Sequence, residues 1–318
     1  MKAVLGIDTS CYTTSAALVS LDGRILSSSR KLLTVAQGER GLQQSQGLFQ
    51  HVKNLPERIE QVMKDAPDAQ VIAVCASVRP RPVEESYMPV FRAGESQARA
   101  AASLLRVPFY PASHQEGHVS AALVDAGINE NAPFLALHLS GGTTEILFCD
   151  QGKLELLGGS LDLHAGQLVD RTGVRMNASF PAGPWLERMA REGQSKGLIG
   201  VSIKGVNCNM AGAENKIAKW IEQGEMRRED IAAEVFDFLS RSIERMIEAA
   251  CEQTGARQAL LAGGVASSTL LRVMLEERAK KRRLKCRLCF ARPELSGDNA
   301  VGVALIGAKQ YVRDIGQE

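Results

Sequence analysis

No apolar run in this sequence approaches the roughly 18 residues that a helix needs to cross a bilayer, so no membrane partner is expected. Charge of one sign is also missing. Against 38 Lys and Arg stand 36 Asp and Glu, a net charge of +2, and so weak a field advertises neither DNA nor a membrane surface. The opening "MKAVLGIDTS" has no signal-peptide layout and runs straight into a strand-like apolar stretch, so the expected location is the cytoplasm. The seven cysteines are scattered and odd in number, which suits reduced thiols rather than a disulfide framework. Cys286 and Cys289 form one C-x-x-C in "KCRLCF", but no second pair completes a zinc site, and they read as structural thiols. Walker A, G-x-G-x-x-G and H-E-x-x-H patterns are all absent.

What is present is ordinary in bulk and patterned in detail. Apolar residues at 45% and charged residues at 23% fit a soluble globular protein, and 318 residues favour two domains over one core. "AVLGIDTSCYTTSAALVSLDGRIL" reads as strand, polar turn, strand, turn at Asp22-Gly23, and strand. The same layout returns in "FLALHLSGGTTEILFCDQGKLELL". An offset of 130 puts Leu5 on Leu135, Ser10 on Ser140, Thr13 on Thr143 and Thr14 on Thr144, and Gly23 meets Gly152 after a one-residue gap. This points to a duplicated domain, with chance similarity between hairpins as the alternative.

Helical periodicity marks "LFQHVKNLPERIEQVMKDA", "GESQARAAASLLR", the long "EDIAAEVFDFLSRSIERMIEAACEQTG" closed by Gly255, "SSTLLRVMLEERAKKRR" and the final "NAVGVALIGAKQYVRDIG". Short buried strands alternate with them at "VIAVCAS", "VPFYPAS", "QALLAGGV" and "KCRLCFA". The fold class is therefore α/β. No linker rich in Pro, Gly or Ser interrupts the chain, and the expected boundary falls at 130, giving domains 1–130 and 131–318 with the last helix able to pack back on the first.

In "PASHQEGHVSAALVDAG", His114 and His118 stand four apart at the start of a helix, on one face. The pair is half a metal site, and capping and packing is the competing reading. Asp298 in "ELSGDNAVG" is either the N-cap of the last helix or the third ligand of that site. Three loops of small residues, "SGG" at 140–142, "SFPAGP" at 179–184 and "AGGV" at 262–265, read as turns after strands. There backbone amides can approach phosphate, and Gly263-Gly264 reads as lying directly before a helix N-terminus that favours an anion.

Taken in order, "LGIDTSCYTTSAALV", "HQEGH", "FLALHLSGGTTEI", "LELLGGSLD", "HAGQLVDRTG", "FPAGP", "LLAGGV" and "FARPELSGDNAVGVALIGA" resemble, nearly end to end, the Gcp/TsaD family. That family makes threonylcarbamoyladenosine in tRNA and belongs to the sugar kinase, Hsp70 and actin superfamily. The resemblance implies two RNase H-like domains around a nucleotide cleft. It implies one divalent metal, iron or zinc, on His114, His118 and Asp298. It implies ATP or an adenylate at Ser140, Gly141, Gly142, Asp170, Gly183, Gly263 and Gly264. The implied reaction is attack by the exocyclic amine of the adenosine beside the anticodon on threonylcarbamoyl-adenylate, displacing AMP. The implied partners are tRNA, a TsaB-like paralogue and other subunits of a synthase complex.

The sequence also departs from the family pattern. Its usual E-T-S-C-D-E-T opening becomes Asp8 to Thr14 with Tyr12 and Thr13 in the acidic places, and S-G-G-H-T becomes "SGGTT" with Thr143 for the histidine. Asn207 takes the lysine place of S-F-S-G-L-K-T, Ser268 replaces the asparagine after A-G-G-V, and "VRPRPVEESY" replaces a glycine-proline-glycine turn. These changes mark a divergent paralogue and open further readings: a catalytically altered interaction subunit, or a carbamoyltransferase with another acceptor. The old family label, sialoglycoprotein endopeptidase, ranks last. The run "RAKKRRLKCR" at 278–287 is read first as a solvated helix C-terminus and second as an RNA contact.

Overall fold

The computed structural model describes residues 1–10, 12–34 and 42–316; Cys11 of the opening motif lies outside the described residues. The chain divides into two compact units, Met1–Val124 with Gly297–Glu318, and Asp125–Ser296. The first begins with strands β1 (Lys2–Thr9), β2 (Thr13–Ser20) and β3 (Ile25–Leu32). Helix α1 (Gln44–Asp65), strand β4 (Gln70–Arg79), helix α2 (Phe91–Leu105), strand β5 (Phe109–Ser113) and helix α3 (His114–Leu123) follow. Strand β1, "KAVLGIDT", is buried throughout beyond Lys2, as a strand covered on both faces must be. Leu55 and Val62 of α1, with Ala98 and Ala102 of α2, pack on Leu5, Ile7 and Val74 of the sheet. Each large aliphatic buried this way contributes about 1.5–3 kcal/mol.

The second unit repeats the scheme with β6 (Phe134–Leu139), β7 (Thr144–Asp150) and β8 (Lys153–Gly159). Next come α4 (Ala165–Arg175), α5 (Gly183–Glu192), the small hairpin β9 (Ser202–Lys204) and β10 (Asn207–Asn209), and α6 (Ala211–Gln223). Helix α7 (Arg228–Thr254), β11 (Gln258–Ala262), α8 (Thr269–Arg282) and β12 (Arg287–Phe290) complete it. Gly255, in the left-handed region at φ 76°, ends α7 as its sequence position suggests.

The sheet orders are β3-β2-β1-β4-β5 and β8-β7-β6-β11-β12, each with one antiparallel half and one parallel half. The register repeats as well. Thr9 pairs with Thr14 as Leu139 pairs with Thr144, and Leu5 with Leu18 as Leu135 with Phe148. Gly23 and Gly152 both take positive φ in the following turn. The α/β class and the duplicated, RNase H-like layout hold.

Helix α9 (Val301–Ile315) belongs to the first unit and covers the sheet face opposite α1 and α2. Glycines let it come close. A Cβ on Gly6 of β1 would lie 2.6 Å from the Ala300 carbonyl oxygen, and one on Gly307 would lie 2.6 Å from Cys75 of β4. A Cβ on Gly302 would collide with the Gly117 carbonyl of α3. Among the described residues no helix is long and apolar enough to cross a membrane.

Two expectations fail. "SFPAGP" follows no strand; it joins α4 to α5, because "AGQLVDRTGVR" before it is an amphipathic helix burying Leu168, Val169 and Thr172. Gly263-Gly264 does not abut a helix either. Val265 to Ser268 intervene, and α8 starts at Thr269 with Ser268 as its cap.

Gly302→Val should lower the unfolding free energy in urea by about 3 kcal/mol, since the added side chain drives α9 off the α3 backbone. Gly212→Ala, where no atom lies within 4 Å of the added carbon, should be neutral or slightly stabilising.

Candidate functional site

The histidine helix starts cleanly because Ser113, at the end of β5, caps it. The Ser113 hydroxyl accepts from the Glu116 amide at 3.2 Å, and the Glu116 carboxylate accepts from the Ser113 amide at 2.7 Å. Capping therefore occupies Ser113 and Glu116, not the histidines. Their four-residue spacing sets the His114 and His118 ring centroids 4.3 Å apart. Asp298 arrives on the segment preceding α9. It is not the N-cap: Ala300 holds that position, and the Asn299 side chain accepts from the Val301 amide at 3.0 Å. Asp298 instead turns to the histidines, with its Oδ2 accepting from the Ser10 hydroxyl at 3.0 Å.

His114 Nε2 lies 2.9 Å from His118 Nε2, His118 Nε2 lies 3.2 Å from Asp298 Oδ1, and His114 Nε2 lies 3.6 Å from the same oxygen. These are the edges of a small donor triangle. A tetrahedral ion bonded at about 2.0–2.1 Å holds its ligands about 3.3 Å apart, so the triangle fits zinc or a similar divalent ion without rearrangement. Among the described residues, this is the one group of three such donors within 4.8 Å of one another.

The charges fit the geometry. Burial opposes charge on the His114 ring, but the Asp8 and Asp298 carboxylates outweigh it and hold its pKa well above the usual 6.5. Burial alone would raise the Asp298 carboxyl, yet hydrogen bonds and charge from His114 and His118 hold it well below the carboxylate range. Beside them His51 is fully buried, and burial lowers its pKa. Its Nε2 must donate to the Ser10 carbonyl at 2.8 Å, so its Nδ1 accepts from the Thr14 hydroxyl at 2.8 Å. That neutral ring braces the backbone of Ser10 and, through its hydroxyl, Asp298.

A metal ion must displace the His114 proton. Affinity for zinc should therefore fall about tenfold for each unit by which the pH is lowered while that proton is bound, with protons released on binding as read by calorimetry in buffers of different ionisation heat. His114→Ala should abolish zinc retention through gel filtration, and unchanged metal content would remove the donor set from consideration.

In the second unit a cavity of about 370 Å³ is walled by Gly141, Asp170, Gly183, Glu187, Phe236 and Gly264, among others. Four of the seven nucleotide candidates, Gly141, Asp170, Gly183 and Gly264, thus meet around one space. Ser140, Gly142 and Gly263 are not part of its wall. Gly263 is needed for the close approach of its backbone to Leu139 at φ 99°. Ser140 closes the turn to Thr143 and accepts from the Gly166 amide. Glu187 was not among the candidates. It lies four residues beyond Gly183 on α5, a relation visible only once that segment is known to be helical. Hydrogen bonds from the Leu270 amide and the Thr269 hydroxyl outweigh its desolvation and lower its pKa.

Some of the residues that depart from the family pattern have structural work. Ser268 caps α8 by accepting from the Leu271 amide, and Asn207 accepts from the Gly159 amide. Thr13 is buried at the start of β2, opposite Leu32, whereas Tyr12 is exposed. In the basic run Arg278 pairs with Glu244 at 2.9 Å and Arg282 with Glu248 at 3.1 Å, and Lys280 to Arg282 form the last turn of α8. Cys286 and Cys289 are buried free thiols, with Cys286 beside Cys251 of α7.

A family model described as tRNA N6-adenosine threonylcarbamoyltransferase (TsaD) matches residues 49–305. The protein of that description from Methanopyrus kandleri is 29% identical over 308 residues, covering 95% of this chain and 86% of the relative. Among solved structures, full-length HypF in its phosphate- and nucleotide-bound form superposes with a TM-score of 0.62 at 13% identity, over 97% of this chain and 46% of HypF. (R)-2-hydroxyglutaryl-CoA dehydratase component A of Acidaminococcus fermentans gives 0.56 at 14%, over 98% of this chain and all of that one. At such identities these two speak for the fold alone. The family model, which spans most of the chain, speaks for descent: this protein belongs to the TsaD family.

Proposed function

We propose that the chain binds a divalent ion, iron or zinc, through His114, His118 and Asp298, and an adenine nucleotide in the cavity of its second unit. We further propose that it transfers a threonylcarbamoyl group from threonylcarbamoyl-AMP to the adenosine beside the anticodon of tRNA. The observation that carries the reading is the donor triangle, with edges of 2.9, 3.2 and 3.6 Å, in a member of this family. The bound ion would supply Lewis acidity toward carbonyl or phosphate oxygens. Gly141 and Gly264 leave room for a ligand, since a Cβ on either would meet no atom within 4 Å. Asp170 and Glu187 offer carboxylates to ribose hydroxyls, and the apolar wall includes Val169 and Phe236. HypF, whose fold this chain shares, is solved in a phosphate- and nucleotide-bound form, which supports a nucleotide as the kind of ligand. The peptidase label ranks last, because Gln115 stands where an H-E-x-x-H pattern needs its glutamate.

The structural work of Ser268 and Asn207 favours a second reading, an altered subunit of a tRNA-modification complex. Calorimetric titration of ATP into metal-loaded and chelator-stripped protein separates the two. Saturable binding is the expected outcome, and silence in both states would favour the altered subunit. Gly141→Val should weaken nucleotide binding at least about tenfold while leaving the unfolding midpoint unchanged, as its side chain enters open space. Equal affinity would return the loop to the role of an ordinary turn.

A further inference from the structure

We propose that Asp8 is the positioning residue of the metal centre, holding His114 with its proton on Nδ1 and its Nε2 free for the ion. The inference rests on the metal reading above and assigns a role to a residue outside the donor set. Asp8 lies near the end of β1 and is fully buried. Its Oδ1 accepts from the Ser77 hydroxyl of β4 and stands 3.0 Å from His114 Nδ1. Its Oδ2 is buried without a hydrogen-bond partner.

Oδ1 already accepts from Ser77 and offers the ring only a lone pair, so the facing ring nitrogen must carry the hydrogen. With Nδ1–H committed to Asp8, a neutral His114 has one lone pair left, on Nε2. That nitrogen is the one 2.9 Å from His118 Nε2 and 3.6 Å from Asp298 Oδ1. Asp8 itself faces the far side of the ring and does not join the three donors. A carboxylate, an imidazole and a metal position in line form the arrangement in which an outer group fixes the tautomer and raises the basicity of a ligand. The unpartnered Oδ2 argues against a merely structural anchor. A buried carboxylate with half its acceptors idle costs stability, and a neutral side chain bonded to Ser77 would serve packing better.

Zinc affinity measured by competition with a chromophoric chelator should fall about 10- to 100-fold in Asp8→Asn and Asp8→Ala. Asn should lose less, because it keeps an acceptor oxygen for Nδ1–H. The chelator-stripped variants should keep the wild-type circular dichroism. Wild-type affinity in both variants would overturn the inference. A measurement without any variant guards against misfolding: long-range 1H–15N NMR of the zinc-loaded protein should find His114 protonated on Nδ1 and metal-bound on Nε2. Zinc on Nδ1 would overturn it. A wild-type protein that takes up no zinc, or zinc retained by His114→Ala, would instead be the failure of the metal reading itself and would be recognised as such.

Discussion

Everything in the first unit that resembles a reactive centre depends on two helices meeting through glycine. Gly117 of α3 and Gly302 of α9 bring backbone against backbone, which no pair of larger residues would allow. The contact is made between the two histidines of α3 and one residue into α9, four residues after Asp298. It sets the separation of donors that lie far apart in the chain. Gly6 and Gly307 repeat the device against the sheet, so α9 is held on two sides and the carboxylate has little freedom to drift. Precision in the donor triangle is thus a matter of steric exclusion in the backbone before it is one of charge.

Charge then decides which atoms face inward. Asp8 and Asp298 flank His114, one carboxylate 3.0 Å from its Nδ1 and the other 3.6 Å from its Nε2, so the ring stands between two acidic side chains drawn from the two ends of the unit. Removing one partner from such a set leaves an uncompensated buried charge, which is far costlier than the pair is stabilising. His51 has the opposite design. It is buried as a neutral ring, with both nitrogens committed to Ser10 and Thr14, and supports the polar segment without adding to its charge.

Much of this was legible in the sequence. The offset of 130 recovered strand register residue by residue, because two copies of a hairpin buried on the same faces retain the same alternation. The i, i+4 histidines and Asp298 were legible through the family pattern; spacing alone left capping open, and only the coordinates show Ser113 and Glu116 doing that work. What was not legible has physical causes. The "SFPAGP" segment looks like a post-strand loop because Pro and Gly dominate it, while the α4 helix before it hides its period behind Gly, Thr and Arg. Glu187 depended on α5, the helix that follows the segment and was equally hidden. Asp8 was legible only as the acid that opens the family's first motif; its role was not, because its partners, Ser77 and His114, come from distant elements.

The placement of α9 also sets an order of events during synthesis. The first unit is interrupted after Val124 and resumes at Gly297, so a growing chain presents its two histidines long before the carboxylate exists. Until then one face of the first sheet, with Val4, Ala73 and Cys75, lacks its cover. The second unit, continuous in sequence, can fold in the meantime as an independent body. Completion of the donor set and closure of the first core are therefore the same event, and a nascent chain that stalls short of Gly297 carries neither.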